Sequence, residues 1–370
     1  MIDYQSKIES IKNKGLFRQR CTLSSAQSSI IKINNTVVCN FSSNDYLSLA
    51  NHPLVIESFI SGIKKYGVGA GASHLVSGHF DVHDQLEFEL ASFTGQERSL
   101  LFSSGYQANI GVLSALSDSI DWVIQDKLNH ASLIDANKLI SRRVERYKHN
   151  DLSSLEKKIS SKTESGLIVT DNIFSMDGDS ANIDGIHTIS SSKNSVLMQD
   201  DAHGFGVFSP NIPKDSIYMA TLGKSAGTMG AFVAGNSQLI ELLTQKSRSY
   251  IYTTAIPPAL CEATRTSLKI IQEGYQTNKL HENIKKFKDY SSHIGLNIND
   301  SKSGIQPIII GDNEKVIKIQ AELLSKGFYV GAIRSPTVPK GSERLRVTLT
   351  SDHTEEQIFK LIDLLKSVIS

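Results

Sequence analysis

The sequence predicts an α/β protein: a large domain on a mostly parallel sheet, followed by a smaller α+β domain. Three observations predict it. From Ser99 to Gly235 short apolar runs alternate with longer segments of helical period, the pattern of βα units. Beyond Tyr250–Pro258 the texture changes to a long stretch rich in Lys, Glu and Asn, which leads to two more strand-like runs. The chain's 370 residues also exceed what one hydrophobic core usually organises. On this reading residues 1–45 form an N-terminal segment, 46–270 the large domain and 271–370 the small one.

In chain order, a helix is expected over Ile56–Tyr66 and a strand at Leu100–Ser103, with a helix following from Ile110 to Leu116. Further strands are expected at Trp122–Gln125, Leu167–Thr170, Val196–Gln199, Tyr218–Thr221 and Ala231–Ala234. The small domain should hold strands at Ile305–Ile310 and Leu345–Leu349. Its last helix should start at a capping box, because Thr354 is followed three residues later by Gln357 and then by Ile358, Leu361, Leu364 and Leu365.

Composition narrows the classes of function. The chain is 39% hydrophobic and 21% charged, as ordinary globular proteins are. Lys and Arg total 39 against 38 Asp and Glu, so no net field draws the protein to nucleic acid or to an anionic membrane. Cys21, Cys39 and Cys261 lack CxxC spacing, which points to reduced thiols and not to zinc or a disulfide framework. The N-terminal run is polar and mixed in charge, and no later run approaches a membrane span; a cytoplasmic location is the expectation.

Sheets of this kind bind ligands beyond the carboxyl ends of their strands, and several polar clusters fall there. Thr221-Leu222-Gly223-Lys224-Ser225-Ala226-Gly227 sets a lysine in a turn of small residues. A lysine that bonds to an aldehyde must first lose its proton, which confinement among apolar or cationic groups favours; a solvent-facing loop lysine is the alternative. Val196 to Gly204 ends an apolar strand with Asp200, Asp201 and His203. One carboxylate there suits a protonated pyridine nitrogen, while helix capping or a metal site are the competing readings. Phe102 to Asn109 runs from a strand through a Ser/Gly turn into a helix, so the backbone N–H groups of Gly105 and Tyr106 could hold a phosphate. His130 follows another strand, and Arg346 alternates with apolar residues on a strand, placed for a carboxylate or for a cross-strand ion pair.

Two histidine- and glycine-rich motifs are read differently. Gly67-Val68-Gly69-Ala70-Gly71 lacks the spacing of a dinucleotide loop and follows a helix, so close backbone approach to a neighbour or ligand is expected instead. His79 and His83 have an i,i+4 spacing that could ligate metal, but no acid adjoins them as in HExxH, and structural or solvent-facing histidines are the reading preferred.

Taken together and in this order, the motifs resemble those of the α-oxoamine synthase family of fold-type I pyridoxal-phosphate enzymes. The resemblance runs from Phe41-Ser42-Ser43-Asn44-Asp45-Tyr46-Leu47 through Val76-Ser77-Gly78-His79, Asn129-His130-Ala131-Ser132 and Phe174-Ser175-Met176-Asp177-Gly178-Asp179. It continues with Asp200-Asp201-Ala202-His203-Gly204 and Thr221-Leu222-Gly223-Lys224 to Pro336-Thr337-Val338-Pro339. It implies a transferase that uses pyridoxal 5′-phosphate to join an amino acid to an acyl thioester with loss of carbon dioxide, working as a homodimer. Val76-Ser77-Gly78, Val82-His83 before Leu86-Glu87, Asp200-Asp201-Ala202-His203 and Ile333 to Pro339 resemble the branch that takes L-alanine and a pimeloyl thioester, carried on coenzyme A or an acyl carrier protein. Glycine- or serine-using relatives, and a catalytically silent cofactor-binding regulator, are the alternatives.

Carried over by position, the resemblance implies that Lys224 bonds the cofactor, Asp200 pairs with its ring nitrogen, His203 meets its ring hydroxyl and His130 stacks on the ring. Ser175 would orient ring polar groups, and Gly105, Tyr106 and Thr221 would surround the phosphate. Thr253 and Thr254 would reach the partner subunit's phosphate. Arg346, with Asn44 nearby, would grip the amino-acid carboxylate, and Arg18 and Thr337 would meet the acyl group. Three positions depart from the family's usual pattern: Ser48 stands where glycine is common, Asp171-Asn172 where Glu-Gly is frequent, and Ala255 where a hydroxyl residue is usual.

Overall fold

The computed structural model describes residues 2–14, 16–140 and 142–369. Met1 and Gly15, the ends of the polar N-terminal run, lie outside the described residues. The chain begins with α1 (Tyr4–Asn13), β1 (Ile30–Ile33), β2 (Thr36–Phe41), α2 (Pro53–Tyr66) and α3 (Asp81–Thr94). Next come β3 (Arg98–Phe102), α4 (Gly105–Leu116), β4 (Trp122–Asp126), α5 (Ala131–Leu139), β5 (Arg143–Tyr147), α6 (Leu152–Ile159), β6 (Gly166–Asp171), α7 (Ile183–Ser191), β7 (Ser195–Asp200), β8 (Ile217–Thr221) and β9 (Ala231–Gly235). The remainder is α8 (Ser237–Lys246), α9 (Arg248–Ile251), α10 (Pro258–Glu273), α11 (Tyr275–His293), β10 (Ile305–Ile309), α12 (Asn313–Ser325), β11 (Phe328–Ile333), β12 (Arg344–Thr348) and α13 (Glu355–Ile369).

Seven strands form the large sheet in the order β3-β9-β8-β7-β6-β4-β5. Only β9 runs against its neighbours, so β3, β4, β5, β6, β7 and β8 all end at the same edge. Both faces of the sheet are covered, because successive side chains point to opposite sides. On β8, Tyr218 and Ala220 enter one apolar cluster while Ile217 and Met219 enter another; on β9, Phe232 and Ala234 divide from Ala231 and Val233 in the same way. This double burial makes the central strands near-continuous apolar runs, and the expected strands coincide with β3, β4, β6, β7, β8 and β9 within a residue or two.

β5 was not among the expected strands. Its sequence, Arg-Val-Glu-Arg-Tyr, is charged because it sits at the sheet's edge, paired only with β4. An edge strand keeps one side in water, so apolar alternation does not mark it.

The second sheet runs β1-β2-β11-β12-β10 and draws strands from both ends of the chain. β2 lies parallel to β11, with Asn40 opposite Tyr329, while β11, β12 and β10 pair antiparallel. Residues 30–41, expected within an N-terminal segment, therefore supply two of its five strands. At the other end the capping box is present: Gln357 N–H donates to Thr354 Oγ1 at 3.3 Å and Thr354 N–H to Gln357 Oε1 at 3.0 Å.

The close approach expected at the Gly67–Gly71 run is not found among the described residues. A Cβ added at 67, 69 or 71 would meet nothing within 4 Å, and what calls for glycine is backbone conformation, φ +81° at Gly67 and +76° at Gly71. Ser48 has the opposite problem. It holds φ +56° with a side chain present, in a turn fixed by the Asp45 carboxylate, which accepts from the N–H groups of Leu49 and Ala50 at 2.9 and 3.1 Å. Replacing Ser48 with Gly relieves that strain, and Ser48→Gly is expected to raise stability by about 0.5–1 kcal/mol in urea unfolding.

Candidate active site

The common edge of the parallel strands opens into a pocket of about 220 Å³. Five of the six strand ends deliver its parts: Gly105 and Tyr106 after β3, His130 after β4, Ser175 after β6, Asp200 and His203 at and after β7, Thr221 and Lys224 at and after β8. These eight of the expected residues share one cavity. Asn44 and Arg346 stand behind its wall, where Arg346 donates from Nε to the Ser175 carbonyl at 2.7 Å and from Nη1 to Asn44 Oδ1 at 3.1 Å. Thr253 and Thr254 do not line it; Thr254 is exposed and its carbonyl accepts from Ser103 Oγ at 3.4 Å. Arg18 and Thr337 line a separate cleft of about 590 Å³ formed with α12 and β11.

Asp200 defines the floor. It is 4% exposed, and its carboxylate accepts from the Ala202 N–H at 3.0 Å and the Asn109 side-chain amide at 2.8 Å. No ion-pair partner lies within reach of it among the described residues. Lys224 faces the same cavity, and burial lowers its amine to about 8, against the opposing pull of Asp200 and Asp171 and with help from Arg346. Burial also pushes His130 down, although Asp200 favours its charged form. His203 is held well below the usual histidine range by burial, then by the positive charges of Lys224 and Arg346. Asp171 is pushed well up by burial and by the negative charge of Asp200, and its carboxyl oxygens accept from the His130 N–H at 3.1 and 3.3 Å.

The start of α4 supplies the remaining feature. Ser104 caps it by accepting from the Gln107 N–H, which leaves the N–H groups of the first turn at the pocket. Gly105 is required there, since a Cβ would meet Thr221 Cγ2 at 2.6 Å. A buried carboxylate with neutral donors only, an amine of lowered basicity and an open helix start fit the pyridinium nitrogen, aldehyde and phosphate of pyridoxal phosphate respectively.

Sequence reasoning left several site residues unassigned. Asn109 is buried on α4 and bridges Asp200 to Ser132, whose hydroxyl lies 2.7 Å from His130 Nδ1. Its spacing after Tyr106, one turn into an otherwise apolar helix, was the available signal. Asp171 was noted only as a departure. His149 was missed altogether: it joins Asp126 at 3.0 Å to Asp179 at 2.9 Å, linking the loop that carries His130 to the turn that carries Ser175. Asn150 adds bonds to the same two acids.

His74, His79 and His83 cluster as their spacing suggested. His83, however, accepts from the Phe80 N–H through Nδ1 and bonds the Ile256 carbonyl through Nε2, so both ring nitrogens are committed and neither offers a lone pair to a cation.

The His149 link yields a test. Burial opposes its charge, but the two carboxylates outweigh burial and raise it to about 10. A raised histidine contributes its full stabilisation below the unfolded value near 6.5 and loses it as pH climbs through 10. The stability difference between the unsubstituted chain and His149→Gln should therefore be largest at pH 6, smaller at pH 8 and nearly gone by pH 10.5, as read by urea unfolding at each pH.

Comparison with known proteins agrees with this site. The family model described as "Aminotransferase class I and II" matches residues 36–365. A relative from Methylococcus capsulatus named 8-amino-7-oxononanoate synthase is 44% identical over 99% of this chain and 98% of its own length; one of the same name from Thioalkalivibrio sulfidiphilus is 44% identical over 99% and 97%. Among solved structures, a Sphingomonas wittichii serine palmitoyltransferase superposes with a TM-score of 0.93 at 25% identity, over 99% of this chain and 98% of that one. An 8-amino-7-oxononanoate synthase from Francisella tularensis superposes with a TM-score of 0.78 at 30% identity, over 89% and 97%. With a pocket suited to pyridoxal phosphate, full-length likeness in sequence and the same fold, the chain belongs to the 8-amino-7-oxononanoate synthase family of pyridoxal-phosphate-dependent acyltransferases.

Proposed function

We propose that this enzyme condenses L-alanine with a pimeloyl thioester, on coenzyme A or an acyl carrier protein, to give 8-amino-7-oxononanoate, carbon dioxide and free thiol, a step of biotin synthesis. The observation that carries the reading is Lys224, a lysine of lowered basicity sharing one small cavity with the unpaired carboxylate of Asp200. Pyridoxal phosphate bound there supplies an electron sink for the carbanion at the amino acid's α-carbon.

The residues divide the remaining work. Asp200 keeps the ring nitrogen protonated, and His203 meets the ring hydroxyl. Ser175 orients the ring's polar groups, and the α4 start with Thr221 receives the phosphate. Thr253 and Thr254 complete the phosphate site of a partner subunit, so the working unit is a homodimer. Lys224 would hold the cofactor and its free Nζ would take the α-proton; burial lowers that amine to about 8, within reach of a base near neutral pH. His130, in the pocket lining, would flank the ring and would donate a hydrogen bond to the thioester oxygen. Arg346, preset by Ser175 and Asn44, binds the alanine carboxylate until that group departs as carbon dioxide. The 590 Å³ cleft offers the acyl chain apolar walls from Ile317, Leu324 and Ile333, with Arg18 and Thr337 as its polar groups.

Three outcomes are expected. In the cofactor-free chain, reductive trapping of Lys224 by a small aldehyde, followed by mass spectrometry, should accelerate as pH rises through about 8. Lys224→Ala should abolish turnover and the bound-cofactor absorbance, whereas Arg346→Ala should raise KM for alanine at least tenfold with little change for the thioester. Across alanine, glycine and serine, each paired with pimeloyl-coenzyme A, product should form fastest from alanine; preference for glycine or serine would reassign the amino-acid substrate within the same family.

A further inference from the structure

Tyr46 is fully buried, and its hydroxyl oxygen lies 2.6 Å from Nδ1 of His203. Two hydrogen-bond directions are possible for such a pair, because either the phenol or the imidazole can donate. What decides between them is the third member of the chain. Arg346 sets its positive charge beside the Tyr46 hydroxyl while its Nη1 donates to Asn44 Oδ1 at 3.1 Å and to Thr348 Oγ1 at 3.0 Å, and a cation draws the lone pairs of a neighbouring oxygen toward itself. The tyrosine oxygen therefore turns its lone pairs toward Arg346, and its single proton points away to another acceptor.

Two acceptors are in range. Asn44 Oδ1 is 3.3 Å away and already accepts from Arg346 Nη1 at 3.1 Å, whereas His203 Nδ1 is at 2.6 Å. The shorter contact takes the proton. His203 is itself kept neutral by burial and by the charges that face it, Lys224, Arg346 and His130. A neutral imidazole whose Nδ1 accepts carries its proton on Nε2, and Nε2 has no partner among the described residues while the ring lines the pocket.

We propose that Tyr46 is a positioning residue that locks His203 as its Nε2–H tautomer, so that His203 offers the pocket a hydrogen-bond donor and never an acceptor. This rests on the reading of His203 as the partner of the cofactor's ring hydroxyl. It adds that the group there must be an acceptor, a phenolate oxygen and not a phenol. It also ties the grip on the substrate carboxylate to the electronics of the ring, since the charge that orients the Tyr46 hydroxyl is that of Arg346.

Histidine-selective ¹⁵N NMR of the full chain tests it, cofactor-free and loaded, with the His203 signals identified by their loss in His203→Gln. The expected result for the unsubstituted chain is Nδ1 of the unprotonated type and Nε2 of the protonated type at pH 7 in both forms. In Tyr46→Phe, which keeps the ring volume, Nδ1 should move toward the protonated type, and the pH midpoint of the bound cofactor's absorbance should shift by about one unit or more. Protonated Nδ1 in the unsubstituted chain would overturn the proposal, as would His203 shifts and an absorbance midpoint unmoved by Tyr46→Phe. A chain that binds no pyridoxal phosphate would defeat the cofactor reading alone, because the cofactor-free spectra still decide the tautomer.

Discussion

A carboxylate buried without a counter-ion organises this molecule. Removing an ion of that size from water costs several kcal/mol even after relaxation, and Asp200 recovers part of that from an amide and a backbone N–H only. The sheet makes this tolerable. Six parallel strands end at one edge, and five of them bring residues of their ends and following loops to the pocket, so the charge is surrounded by polar groups that no single segment could supply. The charge of Asp200 acts on its neighbours: it adds to burial in raising Asp171 and competes with burial at His130 and Lys224. A positively charged ring nitrogen against Asp200 would answer the one demand that the chain leaves open.

The site's outer wall depends on both sheets at once. From the second sheet, Arg346 donates to the Ser175 carbonyl and Arg344 to the Met176 carbonyl and the Asp177 carboxylate, and from the loop before β10 Ser301 and Ser303 donate to the Gly178 carbonyl. From the large sheet, His149 and Asn150 hold Asp179. The turn at 174–179 is thus clasped from two sides. Ser175 owes its place to neither sheet alone, and a shift of one sheet relative to the other is transmitted to the pocket through these bonds.

Much of this was legible in the sequence, for reasons that differ by residue. The central strands announced themselves because burial on both faces demands unbroken apolar runs, and Lys224, Asp200 and His130 were found because each directly follows such a run. β5 escaped because an edge strand carries charge, and β1, β2 and β11 because their faces are only partly covered. His149 escaped with β5: its importance lies in two acids far from it in sequence, Asp126 and Asp179, and no local pattern encodes that meeting. The glycines of the 67–71 run were attributed to crowding, when two of them answer to backbone angle instead. Tyr46 lay inside a motif quoted for resemblance alone, since its hydroxyl acquires meaning only beside His203 and Arg346.

The second sheet's construction bears on how the chain is made. β2 is made well before its partner β11, and the bond from Ser42 Oγ to the Tyr329 carbonyl spans 287 residues. Until that partner arrives, the hairpin of β1 and β2 presents a free edge with Phe41 and Val38 uncovered. Nascent chains must therefore carry an exposed, sticky ribbon until β11 is made, and termination before that point strands it. Quality control that recognises unpaired β edges would discard such fragments, even where the large sheet upstream of the break had already closed around its pocket.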